Sequence, residues 1–466
     1  MQTLVSRGRS LMLLCLFTAL SLIGCGGGGG DSVAVGAGGG GASVSVLLTD
    51  APTDEMKEVW VSVREIRLLG GARQEVIFSS NPATEIDLLS LTGESAYLGT
   101  KDEVPAGCYD KIRLQIDAIE LVPKDENEPP ILLTGNALPA NGKIDLNPRD
   151  RFCLEEGEQV AVQLDMDAEK SLHIVKAGNS GKYKVRPVVF VDILREPRSG
   201  KLVRLSGQVA QIAPAEEAFL LCPAQVRPLS SLQSAREVSE CLEVSTRHAT
   251  IFNANGDPVG LAGLNINDRV EVLGHLLLAE NPQAFDVARV FDAVLVEIGM
   301  FQKLSGTIDQ KLDDNAFRLR LDPSQGYAQG TILEVRLTAE SRIYSTDGTA
   351  LSGAALTPGT IVMVDGILDP TLGVLKTALV VVRADAGQNR IQGVVTAIST
   401  AGLTVRDNEG AEHPALFTPW SNVYRLQVVE GSFQMLPSSP AAIRVGDEVT
   451  LFVSHPGLVQ DVFLLN

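Results

Sequence analysis

From Ser43 onward, apolar and polar residues alternate with a period of two, and this restricts the chain to strands with one buried face. Val44, Val46 and Leu48 alternate with Ser43, Ser45 and Leu47, and Val59, Val61 and Val63 alternate with Trp60, Ser62 and Arg64. The phase then moves to Ile66 and Leu68, which predicts a bulge near Glu65. Ile112, Leu114 and Ile116 are set against Lys111, Arg113, Gln115 and Asp117. Val160, Val162, Leu164 and Met166 are set against Ala161, Gln163, Asp165 and Asp167. Such patterns place one face in a core and one in water, as in antiparallel sheets. Helical signal is confined to short stretches near Asp87–Leu91 and Ser230–Glu240. The 44 glycines and 23 prolines supply turns between short strands. The chain is therefore read as all-β. Its 466 residues predict three or four domains of about 100–150 residues each.

The N-terminus reads as an address. Arg7 and Arg9 precede an apolar run from Leu11 to Ile23, too short to cross a hydrocarbon core of about 30 Å comfortably. It closes on Leu22-Ile23-Gly24-Cys25, which resembles a bacterial lipobox. That resemblance implies cleavage before Cys25, lipidation of its thiol and anchoring in a membrane through acyl chains. Gly26, in place of an aspartate, implies the outer membrane of the cell envelope. Residues 26–42 are glycine-rich and would reach about 20–25 Å as a flexible tether. Gly36, Gly38 and Gly41 fit a dinucleotide fingerprint only by spacing, because no strand precedes them and no helix follows.

Net charge is −18, from 39 Lys+Arg against 57 Asp+Glu, which excludes phosphate-backbone recognition of nucleic acid. Beyond Cys15 and Cys25 four cysteines remain, an even number that suits an exported chain with disulfides. Order along the chain favours Cys108–Cys153 and Cys222–Cys241. The alternative, a zinc site, is opposed by the absence of any C-x-x-C pair and by scattered histidines.

Residues 43–196 resemble an uncharacterised domain family found near the N-termini of bacterial lipoproteins. The resemblance is carried by Leu48-Thr49-Asp50-Ala51-Pro52, Ile86-Asp87-Leu88-Leu89-Ser90-Leu91, Val104-Pro105-Ala106-Gly107-Cys108-Tyr109, Leu164-Asp165-Met166-Asp167-Ala168 and Tyr183-Lys184-Val185-Arg186-Pro187. It implies a β-sandwich of immunoglobulin or transthyretin type, and no activity. The rest of the chain repeats. Leu205-Ser206-Gly207-Gln208-Val209 recurs as Leu304-Ser305-Gly306-Thr307-Ile308 and as Ile391-Gln392-Gly393-Val394-Val395. These units resemble a second uncharacterised family of small extracytoplasmic β-barrels, similar to an OB-fold. The expected organisation is a signal peptide (1–24), a lipidated cysteine and tether (25–42), the sandwich (43–196) and three barrels (202–298, 299–386 and 387–466). A polar linker, Arg195-Glu196-Pro197-Arg198-Ser199-Gly200, separates the sandwich from the barrels.

Chemistry is sparse. There is no G-x-S-x-G and no H-E-x-x-H, and Gly178-Asn179-Ser180-Gly181-Lys182 fails as a phosphate loop and reads as a hairpin turn. Asp165 and Asp167, on the expected solvent face of one strand, would form with Asp50 and Asp54 an oxygen-rich calcium site. The bland reading, which weighs more, is a solvated acidic face with Asp50 capping its own turn. No other cofactor is implied. Trp60 falls on the outward phase of its strand. It is either covered by a neighbouring unit, the commoner fate of a large aromatic, or an exposed anchor for a partner. The reading of function is a non-catalytic binding or scaffolding lipoprotein of the envelope, meeting another envelope protein or a polysaccharide. The alternatives are a hydrolase of envelope polymers with acids assembled from distant strands, and a calcium-dependent adhesin.

Overall fold

A computed structural model describes residues 41–50, 56–91, 93–124, 127–148, 152–171, 185–195, 201–222, 241–278, 282–287, 289–322, 327–328, 330–383, 388–454 and 457–465. Cys25 and residues 26–40 of the expected tether, Asp54, the 178–182 turn, the 196–200 linker and the Ser230–Glu240 stretch lie outside these residues; Ala42, expected in the tether, is instead buried as the first residue of a strand.

The N-terminal unit is built from β1 (Ala42–Thr49), β2 (Met56–Gly70), β3 (Arg73–Asp87), β4 (Glu94–Val104), β5 (Gly107–Tyr109), β6 (Lys111–Pro123), β7 (Ile131–Thr134), β8 (Lys143–Leu146), β9 (Phe152–Leu154), β10 (Gln159–Met166) and β11 (Val189–Leu194). One layer runs β11-β10-β1-β4 and the other β3-β2-β6-β8, with β7 also on β6. Between them pack Val44, Val46, Leu48, Val160, Val162 and Leu164 from the first layer. Val61, Val63, Ile66, Leu68, Ile112, Leu114 and Ile116 meet them from the second. Each is at most 1% exposed, so each contributes about 1.5–3 kcal/mol of burial. The register of β2 slips between Val63 and Glu65, which moves the inward phase from Val63 to Ile66 as the alternation predicts. A short 3-10 helix, Leu88–Leu91, follows β3 where helix was expected. The only α-helix among the described residues is the single turn α1 (Ala168–Ser171).

The barrels follow. The first holds β12 (Leu202–Ala213), β13 (Ala218–Cys222), β14 (Leu242–Ser245), β15 (Thr250–Phe252), β16 (Pro258–Val259), β17 (Arg269–Leu277) and β18 (Val290–Ile298). The second holds β19 (Gln302–Asp313), β20 (Ala316–Leu321), β21 (Ile332–Ser345), β22 (Ile361–Asp369) and β23 (Val374–Val382). The third holds β24 (Gln388–Ile398), β25 (Gly402–Asp407), β26 (Glu412–Leu416), β27 (Asn422–Val429), β28 (Ser432–Ser438), β29 (Glu448–Ser454) and β30 (Leu458–Leu465). All three close in the same order: β12-β13-β14-β18-β17, β19-β20-β21-β23-β22 and β24-β25-β26-β30-β29. The third and last strands of each ring pair in parallel, giving a small five-stranded barrel of the OB kind. The repeated glycine has a steric cause. A Cβ at Gly207, Gly306 or Gly393 would lie 2.4, 2.3 or 2.0 Å from the carbonyl oxygen of Cys222, Arg320 or Arg406 on the paired strand.

The units share sheets. Sandwich strand β4 pairs in parallel with β12 of the first barrel, Leu202 to Arg204 against Glu94 to Ala96. On the other layer, β8 pairs with β28 of the third barrel. Cores run together as well. Tyr424, Leu426, Phe433, Phe452 and Phe463 join the sandwich core, while Leu202, Phe252, Leu273 and Leu295 pack on Met363, Ala378, Leu379 and Val381 of the second barrel.

This sharing corrects one expectation. The outer faces of β1 and β10 are not in water. Ser45, Leu47 and Ala161 are 2% exposed and Gln163 7%, because Val203, Leu205, Leu276 and Leu278 of the first barrel belong to the same cluster as Leu47 and Ala161. On β6 the outward residues Lys111, Arg113, Gln115 and Asp117 stay partly exposed, as the alternation predicts.

Candidate functional site

The feature of the fold that bears most on function is where charge meets the seams between units. At the end of β10 the chain turns through Asp167 into α1. Asp167 Oδ1 accepts the backbone N–H of Lys170 at 2.8 Å, which caps the turn. The Lys170 ammonium then lies 3.1 Å from Asp167 Oδ2 and 3.0 Å from Asp461 Oδ2 on β30. It also stands 5.3 Å from the ring centre of Phe190 and 5.7 Å from that of Phe452. Asn422 Nδ2 donates to Asp461 Oδ1 at 3.0 Å. Burial opposes the charge on Lys170, but Asp167 and Asp461 outweigh it and push the lysine up. One lysine thus ties the sandwich to the third barrel.

Beside it opens a cleft of about 350 Å³, bounded by β8, β10, β11 and the third barrel. Asp145, Asp165, Asp167, Asp192 and Asp461 line it, with Asn147, Phe190, Tyr424 and Met435. Asp145 is held by Arg113, through Nε at 2.6 Å and Nη2 at 2.9 Å. Phe190 meets Tyr424 edge-on at 5.9 Å. Asp165 Oδ1 and Asn147 Nδ2 are buried without a hydrogen-bond partner among the described residues. Burial pushes the Asp165 carboxyl up; Lys201 opposes this and Asp167 adds to it. With Lys170 already committed, the cleft offers acceptors and an aromatic wall, which suit hydrogen-bond donors and cations and repel anions. Its described lining contains no serine, threonine, cysteine or histidine.

The sequence-derived candidates fare unequally. Asp165 and Asp167 do come to one cleft, but not on a solvent face: Asp167 is 4% exposed and lies beyond the strand, turned in as a cap. Asp50 is 1% exposed and its Oδ1 accepts the Ala168 N–H at 2.7 Å, across the layer; the turn after it, which the sequence has it capping, lies outside the described residues. Burial pushes the Asp50 carboxyl well up despite that bond. Among the described residues no three His, Cys, Asp or Glu side chains are arranged to hold a metal ion; Asp54, the fourth member of the expected calcium set with Asp50, Asp165 and Asp167, lies outside them. Trp60 is 36% exposed rather than covered, and its indole N–H donates to Glu58 at 2.7 Å. Both disulfides form as expected: Cys108–Cys153 across the directly opposed pair of β5 and β9, and Cys222–Cys241 from the end of β13 to the residue before β14.

A second charged centre had no sequence signal. Arg204 on β12 grips Glu94 of the sandwich with Nε at 2.6 Å and Nη2 at 2.8 Å. It also meets Glu271 at 2.6 Å, Glu297 at 3.2 Å and Asp365 of the second barrel. Lys303 reaches Glu94 at 3.1 Å. Glu94, Glu297 and Asp365 are at most 1% exposed. Burial raises the Glu94 carboxyl, but Arg204 and then Lys303 override it and bring it down to about 2. Of the residues that sequence reasoning missed, only Lys170, three positions after Asp167, was within its reach. The others are brought together from distant strands.

Residues 41–187 match the family model described as Domain of unknown function (DUF4382). The match spans the sandwich up to the residues before β11. No curated protein matches the chain. Among solved structures, "drosophila Unr CSD456" is similar at 12% identity, covering 57% of this chain and 97% of that one, with a TM-score of 0.19. Overlap that low carries no argument about this chain.

Proposed function

We propose that this protein is a lipid-anchored lipoprotein of the cell envelope, fixed through Cys25 on the outer membrane, and that it acts as a non-catalytic binding or scaffolding module. One observation carries the reading. The first and third barrels share sheet edges with the sandwich and the second barrel shares a core with the first, so the four β units form a continuous frame, with the acidic cleft set in the seam between its first and last units. A frame of this kind holds a recognition surface at fixed geometry, and the glycine-rich stretch that precedes β1 would serve as the tether that sets it off from a membrane. The cleft's acceptors and its Phe190–Tyr424 wall suit a basic segment of another envelope protein, or the hydroxyls of a polysaccharide, and disfavour nucleic acid. Two disulfides fit an oxidising compartment.

Two experiments test it. Cells fed a clickable fatty acid should label the wild-type chain and not Cys25→Ser; label that persists in the variant defeats the anchor. A photo-crosslinking amino acid at Met435, in the cleft, should trap a defined envelope partner that the same probe at Glu412, on β26, does not. Turnover of peptidoglycan, glycan or ester substrates, abolished by a single carboxylate substitution that leaves the melting temperature intact, would replace the binding module with a hydrolase.

A further inference from the structure

The junction of the sandwich with the first two barrels is over-supplied with carboxylates. Six charged groups face one another there, from six strands. They are Glu94 on β4, Arg204 on β12, Glu271 on β17, Glu297 on β18, Lys303 on β19 and Asp365 on β22. Asp87, at the end of β3, adds its charge from beside Lys303. Glu271 is 41% exposed and answers mainly to solvent. Glu94, Glu297 and Asp365 are sealed, and among the described residues Arg204 and the partly exposed Lys303 are the cations that pair with them.

The partners are unequally shared. Glu94 takes two bonds from Arg204 and one from Lys303. Glu297 keeps one 3.2 Å contact with Arg204, and its Oε1 has no hydrogen-bond partner. Asp365 meets Arg204 through Oδ2, and its Oδ1 is likewise without one. Register adds to the crowding: Glu271 and Glu297 are directly paired across β17 and β18. Two sealed carboxyls, each with a bare oxygen, cannot both carry full charge beside one shared guanidinium, whereas a protonated carboxyl is neutral and supplies a donor.

We infer that one proton is held on Glu297 or Asp365 at this three-way junction, and that its loss at rising pH loosens the second barrel from the first. Burial and then Asp365 push the Glu297 carboxyl well up, against Arg204, and burial likewise raises Asp365. The sign follows. A carboxyl raised in the folded chain binds more protons than in the unfolded one, so stability falls as pH climbs from its ordinary range through the raised value. Above the range in which Glu94 titrates, the junction therefore tightens as pH falls and relaxes as it rises, opposite to the usual acid unfolding of a carboxylate-rich protein.

The test is hydrogen exchange on the full chain between pH 5 and 9, corrected for intrinsic exchange. Protection of β18 and β22 should fall roughly tenfold per pH unit across the transition, as loss of one linked proton requires, while β6 in the sandwich stays level. Glu297→Gln replaces the neutral acid with a neutral isostere and should flatten the slope at β18 and β22. Asp365→Asn reads the same proton if Glu297→Gln does not fold. A level profile in the wild type, or a slope unchanged in either folded variant, overturns the inference; if neither variant folds, the wild-type contrast between β18/β22 and β6 decides it alone.

Discussion

Replacing Arg204 by methionine should unfasten the sandwich from the first barrel. The guanidinium is 9% exposed and is the largest single compensation for Glu94, which is 0% exposed. Taking away one partner of a buried ion pair costs about 3–5 kcal/mol, because the other charge is left uncompensated. The protonation of Glu94 gives an independent figure. Its carboxyl sits at about 2 in the folded chain against an ordinary 4.5, and at about 1.4 kcal/mol per unit this is worth about 3 kcal/mol. That stability is present above about 4.5 and is lost as pH falls towards 2. The two routes agree in size. The assay is local: exchange of the amides that join Leu202–Arg204 to Glu94–Ala96. At about 1.4 kcal/mol per decade, Arg204→Met should cut their protection by roughly two to three and a half orders of magnitude at pH 7. Adding Glu94→Met should restore part of it, since the apolar pair carries no desolvation cost while Glu297 and Asp365 still lose their shared guanidinium. Protection within threefold of wild type in Arg204→Met would refute the reasoning, for it would mean that Glu94 is solvated or otherwise paired.

Three further outcomes are expected. Lys170→Met should lower exchange protection at β10 and β30 by an amount equivalent to about 3–5 kcal/mol. Because the lysine is raised above 10.5, its contribution is present below that pH and lost only above it, so the deficit should stay constant between pH 5 and 9. Gly306→Ala should destabilise the second barrel by about 1–3 kcal/mol or more, read as faster proteolysis between β19 and β20, because its Cβ meets the Arg320 carbonyl at 2.3 Å; an unchanged digest would refute the steric account. Intrinsic fluorescence should barely shift on full unfolding, since both tryptophans, Trp60 at 36% and Trp420 at 85% exposure, already meet water; a large red shift would contradict their exposure.

Much of the architecture was legible because its causes are local. Alternation in β2 and β6, the slip after Val63 and the repeated glycines all follow from what each residue's immediate strand neighbours demand. The cysteine pairings were legible for a related reason: each bridge closes within one unit, and each unit was visible in the order of its motifs. The outer face of β10 was not. Ala161 and Gln163 are small or polar, and nothing beside them in sequence tells that a barrel beginning at Leu202 will cover them. The same limit hid the charged seams. Asp50 reaches Ala168, Lys170 reaches Asp461, and Arg204 gathers Glu94, Glu297 and Asp365. Period and spacing determine which way a side chain points from its own strand. Only the docking of one sheet edge on another decides what it meets there, and in a low-dielectric seam that partner sets whether a carboxylate is held down, as Glu94 is, or pushed up, as Glu297 is.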